Sequence, residues 1–155
     1  MTLPVHLEPA PVVSVPLSDT PWSTRLVWFL SGMVAWVVVV LSAWLQPDPR
    51  GFGTHQQLGL PPCNFQELTH VPCPGCGLTT SFARMAHGHA LDALRAHLMG
   101  PPLFLMTLVV ALLAPWAVRR AFPVGRVLEH PATSAALGTT LACGLATWGW
   151  RFFHG

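Results

Sequence analysis

The sequence contains no lysine. All eight of its positive charges are arginines, and six acidic residues leave a formal net charge of only +2. So few cations, scattered along the chain, cannot build the basic face that nucleic acid requires, which argues against a nucleic-acid partner. Charge of either sign is scarce. Charged residues make up 9% of the sequence against 52% hydrophobic ones, and the mean hydropathy is +0.49. A water-exposed surface can hardly be assembled from that composition, so the lipid bilayer is the expected environment. Four cysteines in 155 residues are too few for a disulfide-dense secreted scaffold and leave redox chemistry, metal ligation or plain packing as their uses. There is no Walker or dinucleotide glycine loop, no HExxH and no GxSxG nucleophile elbow. The acids Glu8, Asp19, Asp48, Glu67, Asp92 and Glu129 all fall outside the long hydrophobic runs, which argues against a proton or cation relay through a membrane.

What the chain does have is three hydrophobic spans. Residues 1–23 carry Pro4, Pro9, Pro11, Pro16 and Pro21 and read as a flexible, extended tail, because proline there prevents a helix. Residues 24–155 read as a single membrane domain. The expected fold is all-α and integral to the membrane: three transmembrane helices near 24–45, 101–118 and 132–150, with a cysteine-bearing loop and an amphipathic or re-entrant helix in 46–100. The first span, Thr24 to Leu45, has 22 residues, enough to cross about 30 Å of hydrocarbon at about 1.5 Å per residue. Trp22, Trp28 and Trp44 lie near its ends, where indoles favour the interface. A signal peptide is the competing reading, but the stretch lacks a positive n-region, exceeds an h-region and precedes no small-x-small cleavage site. The second span contains Pro115, which is expected to kink it. In the third, Ser134, Gly138, Ala142 and Ala146 recur every four residues. Such a stripe of small side chains lets a helix of another membrane protein, or of a second copy, come close. Cys143, one position off the stripe, reads as a small packing residue.

Arginine placement leaves the orientation nearly balanced. With three spans, Arg25, Arg119, Arg120 and Arg126 share one side, while Arg50, Arg84, Arg95 and Arg151 share the other. The crowding of Arg119, Arg120 and Arg126 into a short connection favours a cytoplasmic N-terminus. Between the first two spans, the opening QPDPRGFGTHQQLGLPPCNF is full of turn residues and reads as irregular. After it, Leu78, Phe82 and Met85, then Leu91, Leu94 and Leu98 beyond Gly88, fall three or four apart. That spacing predicts an amphipathic helix, broken at Gly88, lying at the interface or dipping into the bundle.

Just ahead of that helix stands PCPGCG, residues 72–77. Pro74 denies Cys73 a helical backbone, and Gly75 and Gly77 permit the turns that bring the sulfur of Cys76 beside that of Cys73. Cys76 would sit ahead of a helix N-terminus, whose N–H groups and dipole favour a thiolate. Three uses fit. One is a metal knuckle, with a zinc ion held by Cys63, Cys73, Cys76 and a histidine: His70, or alternatively His55, His87 or His89. Another is thiol–disulfide exchange between Cys73 and Cys76 with Cys63 resolving, although nothing around the pair reads as a thioredoxin-like βαβ unit. The third is a structural staple without catalysis.

Cys63, the CPGCGLT run from Cys73 to Thr79, Gly88, Ala93, Arg95 and the following apolar span together resemble a family of small bacterial multi-pass membrane proteins that has no assigned function. The likeness covers roughly Cys63 to Leu108. It implies an integral location, in the bacterial inner membrane, and brings no established activity. The chain departs from the family pattern in three places. Thr80 stands where the family carries arginine, His89 where it carries an acid or amide, and His97-Leu98 where it carries Asn-Pro. An arginine–acid pair would thereby be lost at both positions, with His87 and His89 offered instead as ligands. Composition and motif together predict a membrane accessory or structural subunit, stapled or metal-bound at its cysteines, with a membrane thiol–disulfide oxidoreductase as the alternative.

Overall fold

The computed structural model describes residues 21–69 and 73–154, and every regular element among them is helical. The proline-rich tail up to residue 20, and His70, lie outside the described residues. The helices are α1 (Pro21–Trp44), a 3-10 turn at Thr54–Leu58, α2 (Asn64–Thr69), α3 (Leu78–Ala86), α4 (Ala90–Ala96), α5 (Gly100–Arg120), α6 (Val124–Leu128) and α7 (Pro131–His154). Prolines open α1 and α7, where the missing N–H costs nothing.

α1 and α5 are the two described helices long and apolar enough to cross a membrane. They pack as an antiparallel hairpin: Gly32 of α1 meets Ala114 of α5, and the Trp28 indole donates to the Phe122 carbonyl at 2.7 Å just past the end of α5. The seam is made of small residues. Gly32, Ala35 and Ser42 are buried on one side, Ala111, Ala114 and Ala117 on the other, so the two backbones approach closely. Large side chains point outward instead: Val34 is 59% exposed and Leu112 59%. That inversion suits lipid, which competes for apolar side chains but not for backbone contact. α5 continues through Pro115 and stops at Ala121, whose left-handed backbone (φ 46°) turns its N–H back to the carbonyls of Ala117 and Val118.

The third expected span forms as a helix, α7, of 24 residues, but it is less apolar than α1 and α5 and is not among the described helices apolar enough to cross a membrane. Thr133, Ser134, Thr139, Thr140 and Thr147, with Gly138, Gly144 and Gly149, dilute its leucines. It packs on α6 and meets the start of α5 at Gly144, where an added Cβ would run into the Met99 side chain. Ser134, Gly138, Ala142 and Ala146 are all exposed, so within this chain the predicted stripe is not the packing face; Cys143 is exposed beside it.

Between α1 and α5, the break at Gly88 appears as expected, with φ 81° separating α3 from α4. The face buried within the chain is made of small residues. Thr80, Ser81 and Ala83 of α3 and Ala93 and Ala96 of α4 are buried, whereas Leu91 is 73% exposed. The cause is proximity. Ser81 lies so close to Gly100 that no Cβ fits there, and only small side chains allow α3, α4 and the start of α5 to meet. Phe82 alone of the predicted stripe makes an aromatic contact inward, edge-on to Phe104 at 5.5 Å.

Candidate metal centre

The loop after α1 is less irregular than its composition predicts. Asp48 holds Arg50 through an ion pair of 2.8 Å. The Asp48 amide donates to Thr54 Oγ1 at 3.1 Å, and that hydroxyl pairs with Thr80 Oγ1 at 2.7 Å. Both threonines are fully buried, so their hydroxyls must satisfy one another. Thr80 thus fastens the loop to α3. Arg84 does the same with its guanidinium, which donates to the carbonyls of Asp92 at 2.8 Å and Asp48 at 3.1 Å.

The cysteine turn is built on this platform. The Cys76 amide donates to the Cys73 carbonyl at 3.0 Å, closing a turn with Pro74 and Gly75 at its corners. Gly77 then adopts φ 92° as the N-cap of α3. An added Cβ on Gly77 would stand 2.6 Å from the Ala96 carbonyl and 2.9 Å from that of Gly51. Glycine is therefore required twice over, by conformation and by space. From the far side comes His97, buried at 8% exposure. Its Nδ1 faces the Met99 amide at 3.3 Å and its Nε2 the Pro74 carbonyl at 2.8 Å. An amide only donates and a carbonyl only accepts, so the proton resides on Nε2.

The three thiols converge. Cys63 enters from the Pro61-Pro62 stretch just ahead of α2, and its Sγ, with those of Cys73 and Cys76, lies within 4.8 Å of both others. Cys73 and Cys76 sulfurs are 2.8 Å apart. That exceeds a disulfide bond of about 2.05 Å and falls short of the ~3.8 Å that bonds of about 2.3 Å impose on two sulfurs sharing a tetrahedral zinc. Burial, and the neighbouring thiols of Cys73 and Cys63, push the Cys76 thiol up to about 12. Taking a thiolate out of water next to two more sulfurs opposes the lowering expected from the helix N-terminus. Only a cation placed among the three would reverse that balance. The thiols border an open cleft of about 700 Å³ whose rim includes Arg50, His55 and Gln56.

Among the histidines, His55 shares the cleft with the thiols. His87 and His89 lie beyond the other end of α3; His87 Nδ1 contacts the Ala83 carbonyl at 2.7 Å, and His89 caps α4. Neither stands with the sulfurs. Sequence reasoning missed His97 and Thr54 as supports of the turn. The lone histidine has no periodic partner, and its role depends on a carbonyl 23 residues away.

Residues 63–111, from the first of these cysteines into the middle of α5, match a family model described as a protein of unknown function, DUF2752. This agrees with the resemblance drawn from the cysteine segment. Neither a curated protein nor a solved structure matches the chain.

Proposed function

We propose that this chain is a small integral membrane protein, an accessory or structural subunit, whose segment between α1 and α5 is a rigid element at the membrane boundary held together by a thiolate-bound metal ion. One observation carries the reading: Cys63, Cys73 and Cys76, from two separate stretches of chain, have all three sulfurs within 4.8 Å of one another. Three soft thiolates select zinc or another thiophilic metal over magnesium or calcium. His55 on the cleft rim, or His70, would supply the fourth ligand. The Thr54–Thr80, Arg84 and His97 contacts support a structural role, since they fix the donors before any ion arrives.

A third membrane crossing by α7 belongs to the same proposal. Its mid-helix hydroxyls are satisfied within the helix: Thr139 donates to Ala135 at 2.8 Å, Thr140 to Ala136 at 2.7 Å and Thr147 to Cys143 at 2.9 Å, as a lipid-facing helix needs. The free stripe of Ser134, Gly138, Ala142 and Ala146 would take a helix of another protein or of a second copy. A bacterial inner membrane with the N-terminus in the cytoplasm fits the arginines crowded at the α5–α6 end.

The 2.8 Å approach of Cys73 and Cys76 favours a second reading, a membrane dithiol that cycles to a disulfide by passing two electrons and two protons to an external acceptor. Metal analysis of the purified protein, paired with mass spectrometry of alkylated thiols before and after reductant, separates the two. About one zinc per chain and alkylation only after chelation support the metal element. Metal-free protein with a reducible Cys73–Cys76 bridge overturns it in favour of redox.

A further inference from the structure

We propose that the groove between α1 and α5, at the end remote from the cysteines, is a binding site for an anionic phospholipid. The groove holds about 510 Å³ and is walled by Phe29, Met33 and Trp36 of α1 and by Pro115 and Val118 of α5, with Arg119 as its one charged lining residue. It exists because of the small-residue seam. At Gly32 and Ala114 the backbones nearly touch, no side chain fills the trough above them, and the large residues on either side form its walls. An acyl chain is the occupant that such a wall selects, and the guanidinium at the end selects the headgroup.

Among the described residues no ion pair engages the arginines around that end. Arg25, Arg119, Arg120 and Arg126 are all exposed. The antiparallel pairing sets Arg25, at the start of α1, level with Arg120 at the end of α5. The ion pairs among the described residues belong to other arginines, Arg50 with Asp48 and Arg95 with Asp92. Arg84 is likewise committed, to two carbonyls. At the α5–α6 end the only nearby carboxylate among the described residues is Glu129. Arginines kept unpaired where a chain leaves the bilayer offer bidentate donors to phosphate, and each adds to attraction for an acidic lipid surface. Trp22, 70% exposed, and Trp116, 51% exposed, surround the same level, marking the depth at which headgroups lie.

The site rests on the bilayer setting proposed above but not on the metal. The test uses the full chain in mild detergent, titrated with phosphatidylglycerol and with phosphatidylcholine of identical acyl chains and read by native mass spectrometry. Phosphatidylglycerol is expected to bind about tenfold more tightly. R119Q/R120Q should bring the two lipids to near parity, V118W should weaken both, and R95Q, at the other end, should leave the preference unchanged. Equal binding of the two lipids by the unmodified chain overturns the proposal, as does a preference that survives R119Q/R120Q. The wild-type comparison alone decides the matter if a variant fails to fold. A chain that stays soluble without detergent would sink the bilayer setting instead, a separate outcome.

Discussion

His97 donates from Nε2 to the carbonyl of Pro74 at 2.8 Å, tying the end of α4 to the corner of the cysteine turn. The imidazole is buried, so removing it takes away both this bond and the packing around the ring. His97→Ala should therefore lower stability by about 1–3 kcal/mol, read as a fall in the thermal midpoint in detergent. Metal affinity should fall with it. An unchanged midpoint would mean that the contact carries no weight.

The three sulfurs act as a set if they hold one ion. Cys63→Ser, Cys73→Ser and Cys76→Ser should each reduce bound zinc to near zero, while Cys143→Ser, on the exposed face of α7, should keep it. Zinc retained in Cys63→Ser would remove that residue from the site and leave the CxxC pair alone.

Gly77 and Gly88 share a left-handed backbone, with φ 92° and 81°, but differ in surroundings: an added Cβ at Gly88 meets open space and one at Gly77 meets two carbonyls. Gly88→Ala should cost about 1–2 kcal/mol, the conformational penalty alone. Gly77→Ala should cost more than about 3 kcal/mol, because the Ala96 and Gly51 carbonyls must also move. Equal costs in chemical denaturation would refute the close packing of the turn.

At the hairpin seam, Gly32→Ala places its new methyl against that of Ala114 and should cost about 1–3 kcal/mol through overpacking. Combining it with Ala114→Gly should recover part of that loss, a coupling that a double-mutant cycle measures. Strict additivity would separate the two residues.

Arg50 beside Asp48 holds that carboxyl below its ordinary value, chiefly through their hydrogen bond. A depressed folded value adds stability above the unfolded value, and that stability is lost as pH falls through the folded one. Loop stability should therefore decline slightly below about pH 4, and Asp48→Asn should flatten that decline. The Arg50 side chain is 57% exposed, so the effect should shrink further in high salt.

Much of the secondary structure was legible because it is local. Apolar runs without internal charge predicted α1 and α5 within a few residues, the spacing of Pro74, Gly75 and Gly77 predicted a tight turn joining two thiols, and Gly88 predicted the break between α3 and α4. Burial was not legible. Leucines at helical spacing marked an apolar face on α3 and α4, yet the residues buried within the chain are Ser81, Ala93 and Ala96. Hydrophobic periodicity presumes water outside, and a chain with lipid outside can bury its small residues and expose its large ones. On that logic, Ala111, Ala114 and Ala117 were a signal as good as the stripe on α7.

By itself the sequence determined the helical character, the two long apolar helices and the proximity of Cys73 to Cys76, since each depends on residues within a turn or two of one another. Tertiary structure alone decided that Cys63 joins them and that His97 and Thr54 steady the turn. Those relationships join residues tens of positions apart, and how closely they meet is fixed by how near two backbones can come, which no local pattern encodes.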